Sequence, residues 1–214
     1  MKQLIIIGAS GFGREIAEMV QILPEYDKTI SLKGFLVHKK EYLNSLDQYD
    51  YYPPILGTTD DYQIEKDDLF ICALGDVNVK REVVMKLLHR NADFFTLIHP
   101  AARVSKYAHI GRGTIVEANA TIGTGANIGD FCLIQTNSII AHDNCVGNFS
   151  RIDCNSVCVG NVEIGDSVTI HTSAVINHGV KIGNYAVVGA LSFVIRKVGE
   201  HTTVYGNPAK KLIE

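Results

Sequence analysis

His142, Gly160, His178 and Arg196 follow one another at intervals of 18 residues, and the same step taken backwards reaches Thr124 and Lys106. If residues 18 apart are stacked one strand spacing from each other, His142 and Gly160 lie ~5 Å apart along their backbones. That pairing suits acyl transfer. A neutral imidazole can take a proton from an attacking amine or hydroxyl. A glycine N–H can stabilise a carbonyl oxygen as it becomes an oxyanion, and the missing side chain permits close approach. Metal chemistry fits this column less well: His142 and His178 would stand ~10 Å apart, too far to share an ion at ~2 Å from each. Asp143 follows His142 directly. Along a straight strand, adjacent side chains leave on opposite faces, so Asp143 can orient the imidazole only if the pair sits in a turn. His109 and His171 fall at other positions of the pattern and carry no expected role. The five cysteines, Cys72, Cys132, Cys145, Cys154 and Cys158, are odd in number and form no C-x-x-C pair. They argue against a disulfide framework or a thiolate zinc site. Cys145 and Cys154 lie near His142 in the chain and leave a thiol route open.

Stacking at a period of 18 requires a particular fold, and its grammar is present. Counted in sixes from Val104 to Val194, fifteen of sixteen positions are Ile or Val, with Cys158 the exception. The following position is glycine seven times, at Gly111, Gly123, Gly129, Gly147, Gly165, Gly183 and Gly189. The fifth position is mostly small or β-branched, as at Ala108, Thr114, Ala120, Ser138 and Ser150. A strict period of six is neither helical nor that of an ordinary strand. It fits a hexapeptide β-helix in which short strands alternate with tight turns and one aliphatic per strand points inward. The grammar is that of left-handed parallel β-helices, with three hexads per coil; sixteen hexads then give about five coils, a prism roughly 25 Å tall. Glycine beside the inward residue is expected to let the backbone turn sharply.

The first ~95 residues follow α/β grammar. LIIIG reads as a buried strand, residues 13–23 as a helix stopped by Pro24, ISLKGFLV as a second strand, FICAL as a third, and residues 78–89 as a second helix. Strand alternating with helix implies a parallel sheet with right-handed crossovers, a small Rossmann-like unit. The turn GASGFG would offer helix N-terminal N–H groups to a phosphate. It is a poor dinucleotide fingerprint: Gly8, Ser10 and Gly13 stand where three glycines are expected, and no acidic residue follows the second strand. The expected division is an α/β domain over 1–95, a linker over 96–103, a β-helix over 104–198 and a tail over 199–214. Net charge is −3 with no Lys/Arg block, so composition offers no nucleic-acid footprint. No apolar run approaches ~18 residues, so no membrane span is expected. MKQLIIIGAS runs into GASGFGRE where a signal-peptide cleavage site would lie, which points to a cytoplasmic protein.

Taken together, IIIGASGFGREIAE, CALGDVNVKR, LIHPAARVSKYAHIGRGTIV, SIIAHDNCVGNFS, GNVEIGD and YGNPAKK, in this order and spacing, resemble the bacterial sugar O-/N-acyltransferases. That family includes the sialic acid O-acetyltransferases and the UDP-4-amino-sugar N-acetyltransferases, and the resemblance covers nearly the whole chain. It implies a homotrimer with active sites between neighbouring prisms and acetyl-CoA lying along the prism edge as cosubstrate, with no metal. His142 matches the catalytic base, Asp143 the acidic residue that orients it, and Gly160 the position whose N–H meets the thioester carbonyl. Gly206, Asn207, Pro208 and Lys210 match the tail that contacts CoA. Arg196 and Lys210 are the candidates to pair with its phosphates, and His178 shares the Arg196 column. In the α/β domain the resemblance places a nucleotide sugar on Gly8, Ser10, Gly11 and Gly13, with Gly75, Val37 and His38 nearby. Two departures stand out. The family has acidic residues after the second strand where this chain has Val37, His38, Lys39 and Lys40. It also often has a histidine nine residues after the catalytic one, where this chain has Arg151, a cation that would favour an acidic substrate or CoA phosphate.

The expected activity is transfer of an acetyl group from acetyl-CoA to an amino or hydroxyl group of a nucleotide-activated sugar, for surface glycan biosynthesis. The competing readings are a sialic acid O-acetyltransferase, a serine-type acetyltransferase, a β-helical zinc lyase and a non-catalytic sugar-nucleotide-binding scaffold.

Overall fold

The computed structural model describes residues 1–212, and the chain divides into two compact units between Leu97 and Ile98. In the first unit, β1 (Lys2–Ile7), α1 (Gly11–Gln21), β2 (Ile30–Val37), β3 (Ile55–Thr58), β4 (Asp68–Cys72) and α2 (Val77–His89) build a parallel sheet in the order β3-β2-β1-β4. The central strand is apolar on both faces, Leu4 to Ile7 being fully buried, as a parallel strand covered on both sides requires. α1 presents Ile16, Ala17, Met19 and Val20 to this core. α2 starts where Asp76 accepts hydrogen bonds from the Asn78 and Val79 N–H groups, both at 2.9 Å, satisfying two of the orphan donors of a helix start. The sequence pattern missed β3. It is four residues long, directly follows Pro53 and Pro54, and lies at the sheet edge, where a proline next to a strand is tolerated.

The second unit is a left-handed β-helix. Two-residue strands recur every six residues and stack into three parallel sheets. Partners in the ladder are 18 apart, as in Leu133 with Arg151 and Ile139 with Val157. One sheet carries six rungs and its neighbour five, which agrees with the coil count from the hexads. The aliphatic column is buried from Val116 to Val194.

Three details differ from expectation. Residues 96–103 are not a free linker: His99 N–H donates to the Val116 carbonyl and Arg103 N–H to that of Ala120, so the coil begins there. In the tail, Thr203–Tyr205 adds a rung beside Val187–Val188, and Lys210–Lys211 folds back antiparallel on it. The glycines beside the inward residues are there for space, not for conformation. A Cβ on Gly111 or Gly147 would lie 2.5 Å from the backbone of the next coil, and their φ is not positive. The positive φ belongs to the second residue of each turn, at Gly113, Asn119, Gly125, Phe131, Asn137, Asp143, Phe149, Asn155, Asn161 and onward every six residues to Leu191. Asn, Asp and Gly suit that left-handed conformation; Phe131 and Phe149 hold it against their preference, stacked on each other at 5.0 Å between ring centroids.

Candidate active site on an open corner of the coil

His142 and Asp143 occupy the two turn residues of one corner. Asp143 takes φ +55°, which breaks the strand alternation and swings its carboxylate back to the imidazole. Asp143 Oδ2 lies 2.8 Å from His142 Nδ1. An ionised carboxylate only accepts, so in the neutral imidazole this contact favours the proton on Nδ1 and leaves the lone pair on Nε2. The far side of the ring sits over Gly160: a Cβ there would lie 2.4 Å from both Nε2 and Cε1. Glycine is therefore required beneath the imidazole.

The Gly160 N–H has no acceptor among the described residues. At the next corner around the coil the equivalent N–H groups from Arg112 to Asp166 are capped from the following coil. Arg112 N–H is taken by Asp130 Oδ1, Asp130 N–H by Asn148 Oδ1, Asn148 N–H by Asp166 Oδ1 and Asp166 N–H by Asn184 Oδ1, each at 2.8 Å. No such side chain reaches Gly160, so its donor remains for a ligand oxygen.

Beneath this corner lies a residue the sequence reading did not single out. Asn144 is fully buried in the otherwise small or apolar fifth column. Its Nδ2 donates to the carbonyls of Ala141 (3.1 Å) and Cys158 (3.2 Å), and its Oδ1 accepts from Val162 N–H at 2.6 Å. It ties the coil of His142 to that of Gly160. A polar residue in a column of small ones was the signal available for it.

His178 and Arg196 continue the same corner and are exposed. The Gly160 carbonyl accepts from Gly179 N–H, which fixes the spacing to the His178 level. The GNPAK segment lies across the last rung: Gly206 N–H donates to Ser192 Oγ at 3.0 Å, and Ala209 N–H to the Phe193 carbonyl at 2.8 Å. A cavity of about 270 Å³ opens there, with Arg196, Lys197 and Lys211 in its wall. Lys211 rather than Lys210 lines it, and Lys210 stands exposed beside it.

Arg151 is not a spare cation. Its guanidinium binds the buried Asp153, whose Oδ2 also meets Arg151 Nη2 and His171 Nδ1, each at 3.0 Å. Burial pushes the thiols of Cys72 and Cys158 up, to about 11 and about 12, so neither is a nucleophile near neutrality. Exposed Cys145 lies along a different groove, with Glu163 and Lys181. Among the described residues no cluster of three His, Cys, Asp or Glu side chains could hold a metal.

The α/β unit has its own cavity, about 270 Å³, lined by Gly8, Ala9, Ser10, Val37, His38, Tyr42, Ser45 and Leu74. Gly8 has φ +108°, with no room for a Cβ beside the Ala73 carbonyl. Ser10 precedes α1 with its side chain making no cap bond. His38 and Tyr42 face each other at 5.2 Å between ring centroids. Burial, with Lys39 beside it, lowers the His38 pKa from the usual imidazole value. Three expected members, Gly11, Gly13 and Gly75, are not in its wall. Gly13 is buried against the Gly8 carbonyl, so it serves helix–strand packing. Gly75 does not line the cavity, its neighbour Leu74 does.

Residues 3–87 match the family described as PglD N-terminal domain, and residues 161–196 match the bacterial transferase hexapeptide, six repeats. A curated relative, UDP-N-acetylbacillosamine N-acetyltransferase of Bacillus subtilis, is 32% identical over 118 residues, 55% of this chain. The match spans about half (52%) of that relative's length. Among solved structures, the acetyltransferase domain of PglB from Neisseria gonorrhoeae in complex with acetyl coenzyme A superposes with TM-score 0.87 at 27% identity, covering 99% of each chain. PerB from Caulobacter crescentus, solved with CoA and GDP-perosamine, shares the fold with TM-score 0.85 at 23% identity, over 99% of this chain and 98% of that one.

Proposed function

We propose that this chain, set by its domain matches and structural neighbours among the hexapeptide-repeat sugar acetyltransferases, moves an acetyl group from acetyl-CoA to an amino group of a nucleotide-activated sugar. The observation that carries the proposal is the corner where His142, oriented by Asp143, lies over the unengaged N–H of Gly160. His142 Nε2 accepts a proton as the acceptor nitrogen attacks the thioester carbonyl. The Gly160 N–H receives the oxyanion. Collapse expels CoA thiolate, to which the imidazolium returns the proton. Arg196, Lys197, Lys211 and Lys210 supply positive charge for CoA phosphates, Gly206, Asn207 and Pro208 contact CoA from the adjoining tail, and His178 lines the route between. The Gly8–Ser10 cavity, with Val37 and His38 in its wall, takes the nucleotide.

The His142 side chain is 53% exposed, so a single prism offers one wall only. Beside this corner the sheet carries the outward apolar column Ile139, Val157, Val175 and Phe193, with Val159 and Ile195 exposed next to it. A homotrimer would cover that face and supply the second wall. Among the described residues no helix is long and apolar enough to cross a membrane. The proposed substrates, acetyl-CoA and a nucleotide sugar, are the ground for reading a cytoplasmic enzyme of surface glycan biosynthesis.

The test is thiol release from acetyl-CoA against UDP-, dTDP- and GDP-linked 4-amino sugars, CMP-sialic acid, free sialic acid and serine. Turnover with one amino sugar bears the proposal out. Turnover with sialic acid or serine alone replaces it with an O-acetyltransferase.

A further inference from the structure

Arg14 carries a charge that the described chain leaves uncompensated. It lies in the first turn of α1, where its backbone N–H donates to the Ser10 carbonyl at 3.1 Å. One terminal guanidinium nitrogen lies 3.9 Å from the point a Cβ on Gly11 would occupy. The side chain therefore runs beside the glycine turn, next to the residues that line the α/β cavity. Glu18, four residues on, is the natural helical partner for Arg14. It instead accepts a hydrogen bond from Tyr52 Oη at 2.7 Å. No ion pair among the described residues includes Arg14.

The guanidinium is nonetheless held in place. It sits over the Tyr49 ring, 4.3 Å from the centroid. Tyr49 packs edge-on against Tyr52 at 5.9 Å, and Tyr52 against Phe35 of β2 at 6.3 Å. This tyrosine-rich stretch begins at Ser45, itself in the cavity wall. Stacking engages the face of a guanidinium and leaves its N–H edge free, and that edge matches two phosphate oxygens at once.

We propose that Arg14, laid flat on Tyr49, grips the diphosphate of the nucleotide bound in the Gly8–Ser10 cavity. This rests on the nucleotide-sugar reading above and adds the residue that recognises the ligand by its pyrophosphate, whatever its base. Tyr49 is then a positioning residue, and the Tyr52–Glu18 bond keeps Glu18 from neutralising the arginine.

The full-length protein is titrated calorimetrically with UDP, dTDP and GDP and with the matching monophosphates. The wild type should bind its preferred diphosphate at least tenfold more tightly than the monophosphate. Arg14→Gln should shrink that ratio below threefold and leave acetyl-CoA affinity unchanged. Arg14→Lys should restore part of the ratio, because a point charge lacks the planar fork. Tyr49→Phe should keep the ratio, and Tyr49→Leu should lower it. If Arg14→Gln retains the full ratio, or weakens mono- and diphosphate alike, the assignment is overturned. If acetyl-CoA binds and no nucleotide does, the nucleotide-sugar reading fails first and takes the assignment with it.

Discussion

At His142 two contacts in opposite directions define the imidazole: a carboxylate at Nδ1 and a glycine beneath Nε2. His142→Ala should lower kcat roughly 10²–10⁴-fold, the usual worth of a positioned general base, with an unchanged melting temperature because the corner is exposed. Asp143→Asn should also lower kcat, by up to about 10⁴-fold, since the amide can donate to Nδ1 and leave the ring in the wrong tautomer. Steady-state thiol release and a thermal melt check both. Gly160→Ala tests the other side. Its Cβ would fall 2.4 Å from the ring, so the imidazole must move; a displacement near 1 Å is enough for a loss of about 10² in kcat. A crystal structure of that variant with His142 undisturbed would contradict the account. His38 gives a pH dependence whose sign follows from its depressed pKa. The unfolded chain binds that proton more readily than the folded one, so stability rises with pH through the range just below 6.5. His38→Gln should flatten that rise in denaturant melts between pH 5 and 7.

At the scale of elements, each coil is held to the next by a ladder of backbone bonds, and its corners decide what else is possible. One corner spends its donors on an Asp/Asn ladder from Asp130 to Asn184. The corner of His142 leaves them open and moves its polar support inside, to Asn144. Asn144→Ala would orphan the Val162 N–H and the Ala141 carbonyl in a buried place, while the Cys158 carbonyl keeps its bond from Ala141 N–H. A loss of about 1–3 kcal/mol is expected, measured by urea unfolding, and kcat should fall with it because the His142 and Gly160 coils lose their tie. A variant with normal stability would show that water replaces the amide without cost.

At the scale of the molecule, the proposed homotrimer would cover the apolar outer face of the solenoid and close the open corner of His142. Light scattering behind size exclusion should give three times the 23.5 kDa chain mass. Ile139→Asp, in the middle of the outward column, should shift the protein to smaller species and abolish thiol release without changing the far-UV spectrum of the monomer. A fully active monomer would remove the need for a second wall.

The β-helix was legible because its rule is local. An inward aliphatic every six residues is required wherever a two-residue strand meets a tight turn, so the period is written into Val104–Val194 itself. The column of His142, Gly160, His178 and Arg196 followed from that period alone. The strand LIIIG was equally plain, being apolar on both faces, and ISLKGFLV was legible from its alternation over residues 30–33 followed by an apolar run. The edge strand Ile55–Thr58 was not, since four residues after two prolines carry no alternation to read. Nor did spacing reveal why the glycines recur, because room against the next coil is a tertiary property that looks, in sequence, like a preference for turning. The rest depends on three-dimensional proximity between residues far apart in the chain or differently surrounded. Only the fold shows that Asp153 occupies Arg151, that Tyr52 draws Glu18 away from Arg14, and that the N–H of Gly160 is left open while those of the neighbouring corner are capped. Residue type and period fixed which groups could react; which of them remained available was decided by the partners that folding brought to the others.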